Sequence, residues 1–432
     1  MGYFRIGQKD GRYLFFDGDN RPFYSLGVNC VWNPILDTPG TRSVDLVRKY
    51  GGTDRWHARW AEEKLRQTAS WGFNTLGAWH EKHYWGNGIP KTVEIRCSRY
   101  AKKVNHEWGV GFPDVFDPSF AASIHKAMLE CFYEKGEALL KDEGLIGYYT
   151  DNELHWWGTG GKWGSNDPGE GYNDTHLVDD YIDLPADAPG KQAWVAFVRQ
   201  RYDTIEELNR AWDAEYAHFD DLLYIGVYRA DRDVLEELKR AFLGEIAQTY
   251  FETTTKILRM YDPNRLHLGC RMVGTGTPKI VLEVMKRYVD VISVNFYSFD
   301  LPLKWMADVH RLTNKPFMVT EFSFCAGRSA GFLYNTNGAR KVIVKDQKRR
   351  AEAYKNFVEL AAGLPYVVGT HWFALYDYSN RSGLIGNYGL LNADDETYEE
   401  FAAEVAVTNG RLLERIIGGG GMPEPREWEK DD

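Results

Sequence analysis

The stretch Leu145-Ile146-Gly147-Tyr148-Tyr149-Thr150-Asp151-Asn152-Glu153 decides the fold. Its first six residues form an apolar and aromatic run of strand length, and the run passes straight into three polar residues. A strand that is apolar on both faces is one that other elements cover on both sides, as in a parallel sheet flanked by helices. A second stretch repeats the form: Pro316-Phe317-Met318-Val319-Thr320 runs into Glu321.

Moving outward from these two, strand-type runs stand at Phe23–Asn29, Phe73–Trp79, Leu266–Arg271, Val289–Phe296 and Val367–Phe373. A third strand is expected within Val104–Val115. Helical periodicity fills most of the intervals: Trp56–Trp71, Pro118–Leu140 opened by Asp117-Pro118, Gln192–Trp212 and Val234–Met260. Eight strands alternating with helices predict an α/β chain folded as a (β/α)8 TIM barrel. The alternative, a doubly wound sheet, usually carries a Gly-rich phosphate turn after its first strand, and Gly27-Val28-Asn29 is not one. Turn chemistry at Asp10-Gly11 and Asp17-Gly18-Asp19-Asn20 marks residues 1–21 as a short N-terminal β-hairpin closing the bottom of the barrel. The barrel itself is expected over 22–416, with a long Gly-, Asp- and Trp-rich loop after strand four (His155–Gly190) and a disordered tail over 417–432.

Composition removes several function classes. The formal net charge of -10 gives no basic face for phosphate neutralisation, so no nucleic-acid partner is expected. No apolar run is long enough to span a bilayer, so no membrane partner is expected either. The N-terminal Met1-Gly2-Tyr3-Phe4-Arg5 shows no basic-then-apolar signal peptide, and the five cysteines (Cys30, Cys97, Cys131, Cys270, Cys325) lack CxxC spacing. Free thiols and a cytoplasmic location follow as expectations, or secretion if a leader has been removed. Aromatic residues make up 15%, including 15 Trp and 26 Tyr, which suits either a large aromatic core or a carbohydrate cleft.

In a (β/α)8 barrel, reactive side chains sit where strands emerge at their C-terminal ends. Glu153 and Glu321 each close an apolar strand on opposite sides of the ring. Glycosidic hydrolysis needs such a pair, one carboxyl to protonate the leaving oxygen and the other to attack or to activate water. A lone strand-end Glu is as readily a solvated loop residue; two facing each other are harder to explain so. Asn152 is placed to bind a sugar hydroxyl, and Tyr297, after Asn295-Phe296, to hold the Glu321 carboxylate ionised, unless it is a core-edge tyrosine. Trp372, after His371, is a candidate floor for a sugar ring or else a packing residue. Asn29, His80 and Arg271 close three further strands and are candidate ligands to sugar hydroxyls or carboxylates, as are Asn295 and His371. His155, Trp156, Trp157 and Trp163 open the long loop as candidate sugar subsites or as a small aromatic core of its own. Asp174, Asp179, Asp180 and Asp183 lack the alternation of a calcium loop, and the chemistry calls for no metal and no cofactor. Ala326-Gly327-Arg328 is a weak match to a phosphate loop.

With these residues in view, the chain resembles clan A of the glycoside hydrolases and, more closely, glycoside hydrolase family 50, the β-agarases. The resemblance rests on Ile146–Leu154, on Tyr261-Asp262-Pro263-Asn264-Arg265 through Arg271, on Val289–Tyr297, on Lys315–Phe322 and on Val368–Phe373. It implies Glu153 as acid/base, Glu321 as nucleophile and retention of anomeric configuration. It also implies exo-type attack on agar-type or other β-galactan oligosaccharides or polysaccharides. The nucleophile motif departs from the family in reading Glu321-Phe322-Ser323, where a His follows the Phe in relatives. The segment Phe197–Trp212 is similar to family 42 β-galactosidases, so a β-galactosidase or other clan A glycosidase is the runner-up. A non-catalytic carbohydrate-binding barrel is the alternative of another class. Sugar, linkage and oligomeric state are left open.

Overall fold

The computed structural model describes residues 2–33, 46–52, 55–106, 110–162, 171–228, 230–326, 342–379, 385–392 and 394–419. Trp163 and Gly327-Arg328, named above, lie outside these, as does most of the expected tail. The last helix, Glu399–Gly418, carries on past the boundary expected at residue 416.

Three short strands open the chain: β1 (Arg5–Lys9), β2 (Arg12–Phe16) and β3 (Pro22–Phe23), paired antiparallel in that order. The expected hairpin thus gains a third strand. Nine parallel strands follow in a curled sheet: β4 (Ser25–Val28), β5 (Thr75–Leu76), β6 (Lys91–Glu94), β7 (Leu145–Tyr149), β8 (Leu266–His267), β9 (Met272–Val273), β10 (Ile292–Asn295), β11 (Phe317–Phe322) and, after a small parallel pair β12 (Cys325–Ala326) and β13 (Ile343–Val344), β14 (Val367–Trp372). Their order across the sheet is β8-β7-β6-β5-β4-β14-β11-β10-β9. The two edge strands are halves of one segment. Between them Thr150 donates to Gly269 and Glu153 to Arg271 on the β7 side, while Asp290 donates to His267 and Gly274 to Asn295 on the β10 side.

Six of the expected strands stand within one to three residues of their places, and the fifth is the segment split into β8 and β9. The third strand was misplaced. It is Lys91–Glu94, whereas Val104–Val115 forms an irregular connection with a bridge from Lys103 to Pro113. The cause is local: β5 reaches β6 through a single 3-10 turn, Lys82–Tyr84, so no helix separates them. Helices occupy the other intervals and cover the outside of the sheet. Trp56–Ser70 matches its expected span, while Gln192–Trp212 divides into Pro189–Arg199 and Ile205–Trp212, the second capped by Thr204. Pro118–Leu140 divides likewise into Phe120–Phe132 and Gly136–Leu140. The supposed loop after β7 also contains a helix, His176–Ile182, with Leu177, Val178, Tyr181 and Ile182 buried.

Inside the curl, Ile146, Tyr149, Leu268, Val291, Met318 and Val368 form one apolar cluster, and Phe4 and Phe15 of the N-terminal sheet close it from below. Tyr13 donates its backbone N–H to Pro365, just ahead of β14, which fixes that sheet at the N-terminal ends of the parallel strands. The C-terminal ends are left open for polar groups. Among the described residues, no helix is long and apolar enough to cross a membrane.

Candidate active site at the C-terminal ends of the strands

Four non-glycine residues just past β4 to β7 adopt left-handed backbone: Cys30 (φ 58°), Trp79 (φ 61°), Arg96 (φ 64°) and Glu153 (φ 54°). Such residues cost of order 1–3 kcal/mol each and persist where surrounding structure over-determines them, most often at functional sites. All four stand at one end of the sheet.

Glu153 and Glu321 are linked there by a chain of side chains, Asn295, Asn152 and Arg271. Asn295 Nδ2 donates to Glu153 Oε1 at 2.9 Å, and Asn295 Oδ1 accepts from Thr320 Oγ1 at 2.7 Å. Arg271 pairs with Glu321 Oε1 at 2.9 Å and donates to Asn152 Oδ1 at 3.0 Å and to the Thr320 carbonyl at 2.9 Å. The Tyr297 hydroxyl donates to Glu321 Oε2. The structure brings Glu153, Glu321, Asn152, Arg271, Asn295 and Tyr297 into one cluster. Burial pushes the Glu321 carboxyl up to about 7; the Arg271 charge and the Tyr297 hydrogen bond pull it back, while the charges of Glu153 and Glu94 push it further. Burial likewise raises Glu153, against the Asn295 hydrogen bond and Arg271. Ionised Glu321 has a cation and a hydroxyl donor, whereas Glu153 has one neutral amide.

Six other candidates have different work. Asn29 is fully buried and ties strands together, donating to the Thr320 and Trp372 carbonyls and accepting from Ala78 N–H. Both ring nitrogens of His80 are engaged, Nδ1 with the Gly77 carbonyl and Nε2 with the Trp85 indole. His371 is buried within the curl against Ser25 Oγ at 2.9 Å, and burial brings it down to about 3, so it is neutral. Trp372 has no exposed surface; it packs on Phe322, Tyr354 and Phe401 and donates to the Ala374 and Tyr388 carbonyls. It is core, not floor. Trp156 is equally buried, stacked on Phe251 at 5.5 Å, and His155 stacks on a buried Trp157 at 4.8 Å. Trp156 joins the main core, against Phe112 and against Tyr250 and Phe251 of the Arg232–Tyr261 helix, and does not form a separate aromatic core of the loop. The acidic residues of the loop disperse: Asp179 pairs with Lys239, Asp180 accepts from Asn105 and Thr159, and Asp174 pairs with His176.

Two site residues went unnamed in the sequence. Glu94 ends β6, its side chain 4% exposed, and Trp79 donates its indole N–H to it. The signal was there in the alternation Thr92-Val93-Glu94-Ile95, a strand closed by a carboxylate like β7 and β11. Asp151, beside the pair, is held by the Ser98 N–H and hydroxyl and by Tyr250 at 2.6 Å, which pins the start of the Glu153 loop.

A curled parallel α/β sheet is shared with solved agarases. A structure described as an exo-β-agarase superposes with a TM-score of 0.81 over 96% of this chain and 66% of that one, at 21% identity, and another agarase with 0.79 at 23% identity and the same two coverages. Likeness at this level speaks to the architecture. Among curated proteins, the chain is similar to β-agarase B of Vibrio sp. (strain JT0107), 29% identical over 373 residues, and to β-agarase A of the same strain, 28% identical over 403 residues. These alignments cover 82% and 86% of this chain but only 36% and 38% of the relatives, so the chain spans well under half their length. No model of a known protein family matches. The likeness is to β-agarases, and the wider clan A grouping gains no support from it.

Proposed function

We propose that the chain is a retaining β-glycoside hydrolase acting on agar-type β-galactan chains, exo-acting, with the curled sheet closed as a (β/α)8 barrel through the split segment Leu266–Val273. The observation that carries this is the pairing of two carboxyls with opposite surroundings: Glu321 is buried on Arg271 and Tyr297, whereas Glu153 is partly buried and its carboxyl accepts from the neutral amide of Asn295. Similarity to β-agarases over most of the chain supports the sugar class.

In the first half-reaction Glu153 gives its proton to the glycosidic oxygen while a Glu321 oxygen forms a bond to the anomeric carbon and the leaving sugar departs. The Arg271 charge, held in a dry site, keeps Glu321 nucleophilic. With Glu321 now an uncharged ester, the repulsion that favoured protonated Glu153 is gone, and the newly ionised Glu153 takes a proton from water. That water attacks the anomeric carbon, releases Glu321 and leaves Glu153 protonated again.

Product release from a panel of agar-derived and plain β-galactosidic oligosaccharides, wild type beside Glu321→Ala, tests the reading. Chain-end products from agar oligosaccharides, absent in the variant, are expected. Early internal cuts would replace exo by endo action, cleavage of simple galactosides alone would favour a β-galactosidase, and binding without cleavage would leave a carbohydrate-binding barrel.

A further inference from the structure

Glu94 has no part in the two-carboxyl chemistry, yet more of the mouth is organised around it than a lone surface ion pair would require. Its Oε2 receives both the Trp79 indole N–H and Arg96 Nε, the latter at 3.2 Å. Trp79 and Arg96 are two of the four left-handed residues past the strands, so two strained turns send their side chains to the same oxygen. Beyond Glu94, the Trp79 ring lies under the Arg271 guanidinium, 4.4 Å from its centre, with Tyr149 at 5.3 Å. Arg271 in turn pairs with Glu321 at 2.9 Å. A cation over an indole is held by the ring's quadrupole, and its position follows the ring's tilt. The ring's tilt is fixed by where its N–H ends.

We propose that Glu94 is a positioning residue for the nucleophile, acting through Trp79 and Arg271: it anchors the indole that seats the guanidinium against Glu321. This rests on the assignment of Glu321 as nucleophile. The alternative is that Glu94 serves only to neutralise Arg96, whose side chain is about half exposed.

Three variants separate the two. Glu94→Ala removes the anchor, and a misplacement on the order of 1 Å at the reacting centre costs about 100-fold in rate; kcat is expected to fall about 10- to 100-fold with KM within about threefold. Trp79→Phe keeps a ring and loses the N–H, and should reproduce that loss in kcat. Glu94→Gln keeps an acceptor but removes a negative charge near Glu153 and Glu321; most of kcat should survive, and the acidic limb of the pH profile should move to lower pH. A crystal structure of Glu94→Ala reads the same relation without activity and should show Arg271 withdrawn beyond 4 Å from Glu321. The proposal is overturned if Arg271 stays in place there, or if Glu94→Ala and Trp79→Phe keep kcat within twofold at unchanged pH profile. Should the wild type cleave no glycan, the functional reading fails, and the crystallographic arm still decides whether Glu94 seats Arg271.

Discussion

The guanidinium of Arg271 stands 2.9 Å from Glu321 and, through another nitrogen, 3.0 Å from Asn152, so one buried cation touches both the β11 carboxylate and the residue beside Glu153. Arg271 has no exposed side-chain surface, and the site around it contains three carboxyls, Glu94, Glu153 and Glu321. Its removal is accordingly expected to cost more than one hydrogen bond. Arg271→Met should lower kcat/KM by about 100- to 1000-fold, in the range of losing one preorganised charge-stabilising donor. Loss of the cation also raises the Glu321 proton affinity. Because the nucleophile must be ionised, the acidic limb of the rate profile should move to higher pH. A profile of unchanged shape would argue that Arg271 only packs.

Wild-type pH dependence follows from the same surroundings. Burial pushes Glu321 to about 7, so activity should rise as pH increases through about that value. It should fall again at higher pH as Glu153 loses its proton. A rate plateau reaching down to pH 5 would contradict the burial argument; kcat/KM measured across pH 4–10 decides.

Tyr297→Phe removes the hydroxyl that donates to Glu321 Oε2 while keeping the ring against Phe373 and Tyr388. A hydrogen bond to a charged group is worth about 1.5–3 kcal/mol, or about 10- to 150-fold in rate when it acts in the transition state. The loss should fall on kcat, with the melting temperature nearly unchanged.

Much of this site was legible before any coordinates because strand ends in such a fold are read directly from where an apolar run stops. Glu153, Asn152, Arg271, Asn295, Tyr297 and Glu321 all close or follow such runs. Glu94 was missed because β5 and β6 are joined without a helix, which breaks the alternation that located the other strands. Trp156 and Trp372 were read as candidate sugar platforms because an indole in a mouth loop and an indole in the core look alike in sequence; only packing against Phe251 or Phe401 tells them apart. His371 and Asn29 sit at strand ends too, but their partners are the backbone and hydroxyls of neighbouring strands, contacts no single strand reveals.

That distinction has a measurable consequence for Trp156. Trp156→Ala should destabilise the fold by about 3–5 kcal/mol, the range for a large-to-small change in a packed core. KM for an agar oligosaccharide should stay within about twofold for the molecules that remain folded. A large rise in KM at unchanged stability would restore the subsite reading.

Stability away from the mouth depends on a buried ion pair. Lys64 and Asp395 meet at 2.6 Å with neither side chain exposed, and Asp395 also receives Lys49 and the hydroxyls of Tyr50 and Tyr376. Asp395→Asn leaves buried Lys64 only the longer contact to the partly exposed Glu63 at 3.7 Å, and breaking a buried pair in this way costs about 3–5 kcal/mol. Thermal unfolding should show it, with the activity per folded molecule unaltered.

The assignment of Glu321 as nucleophile is tested most directly by chemical rescue. Glu321→Gly is given an aryl β-glycoside of an agar disaccharide and sodium azide, and the product is read by NMR. The account predicts that azide fills the space left by the carboxylate, attacks from the same face and gives the α-glycosyl azide. A β-glycosyl azide, or no rescue in a folded variant of an enzyme whose wild type cleaves the same substrate, would contradict it.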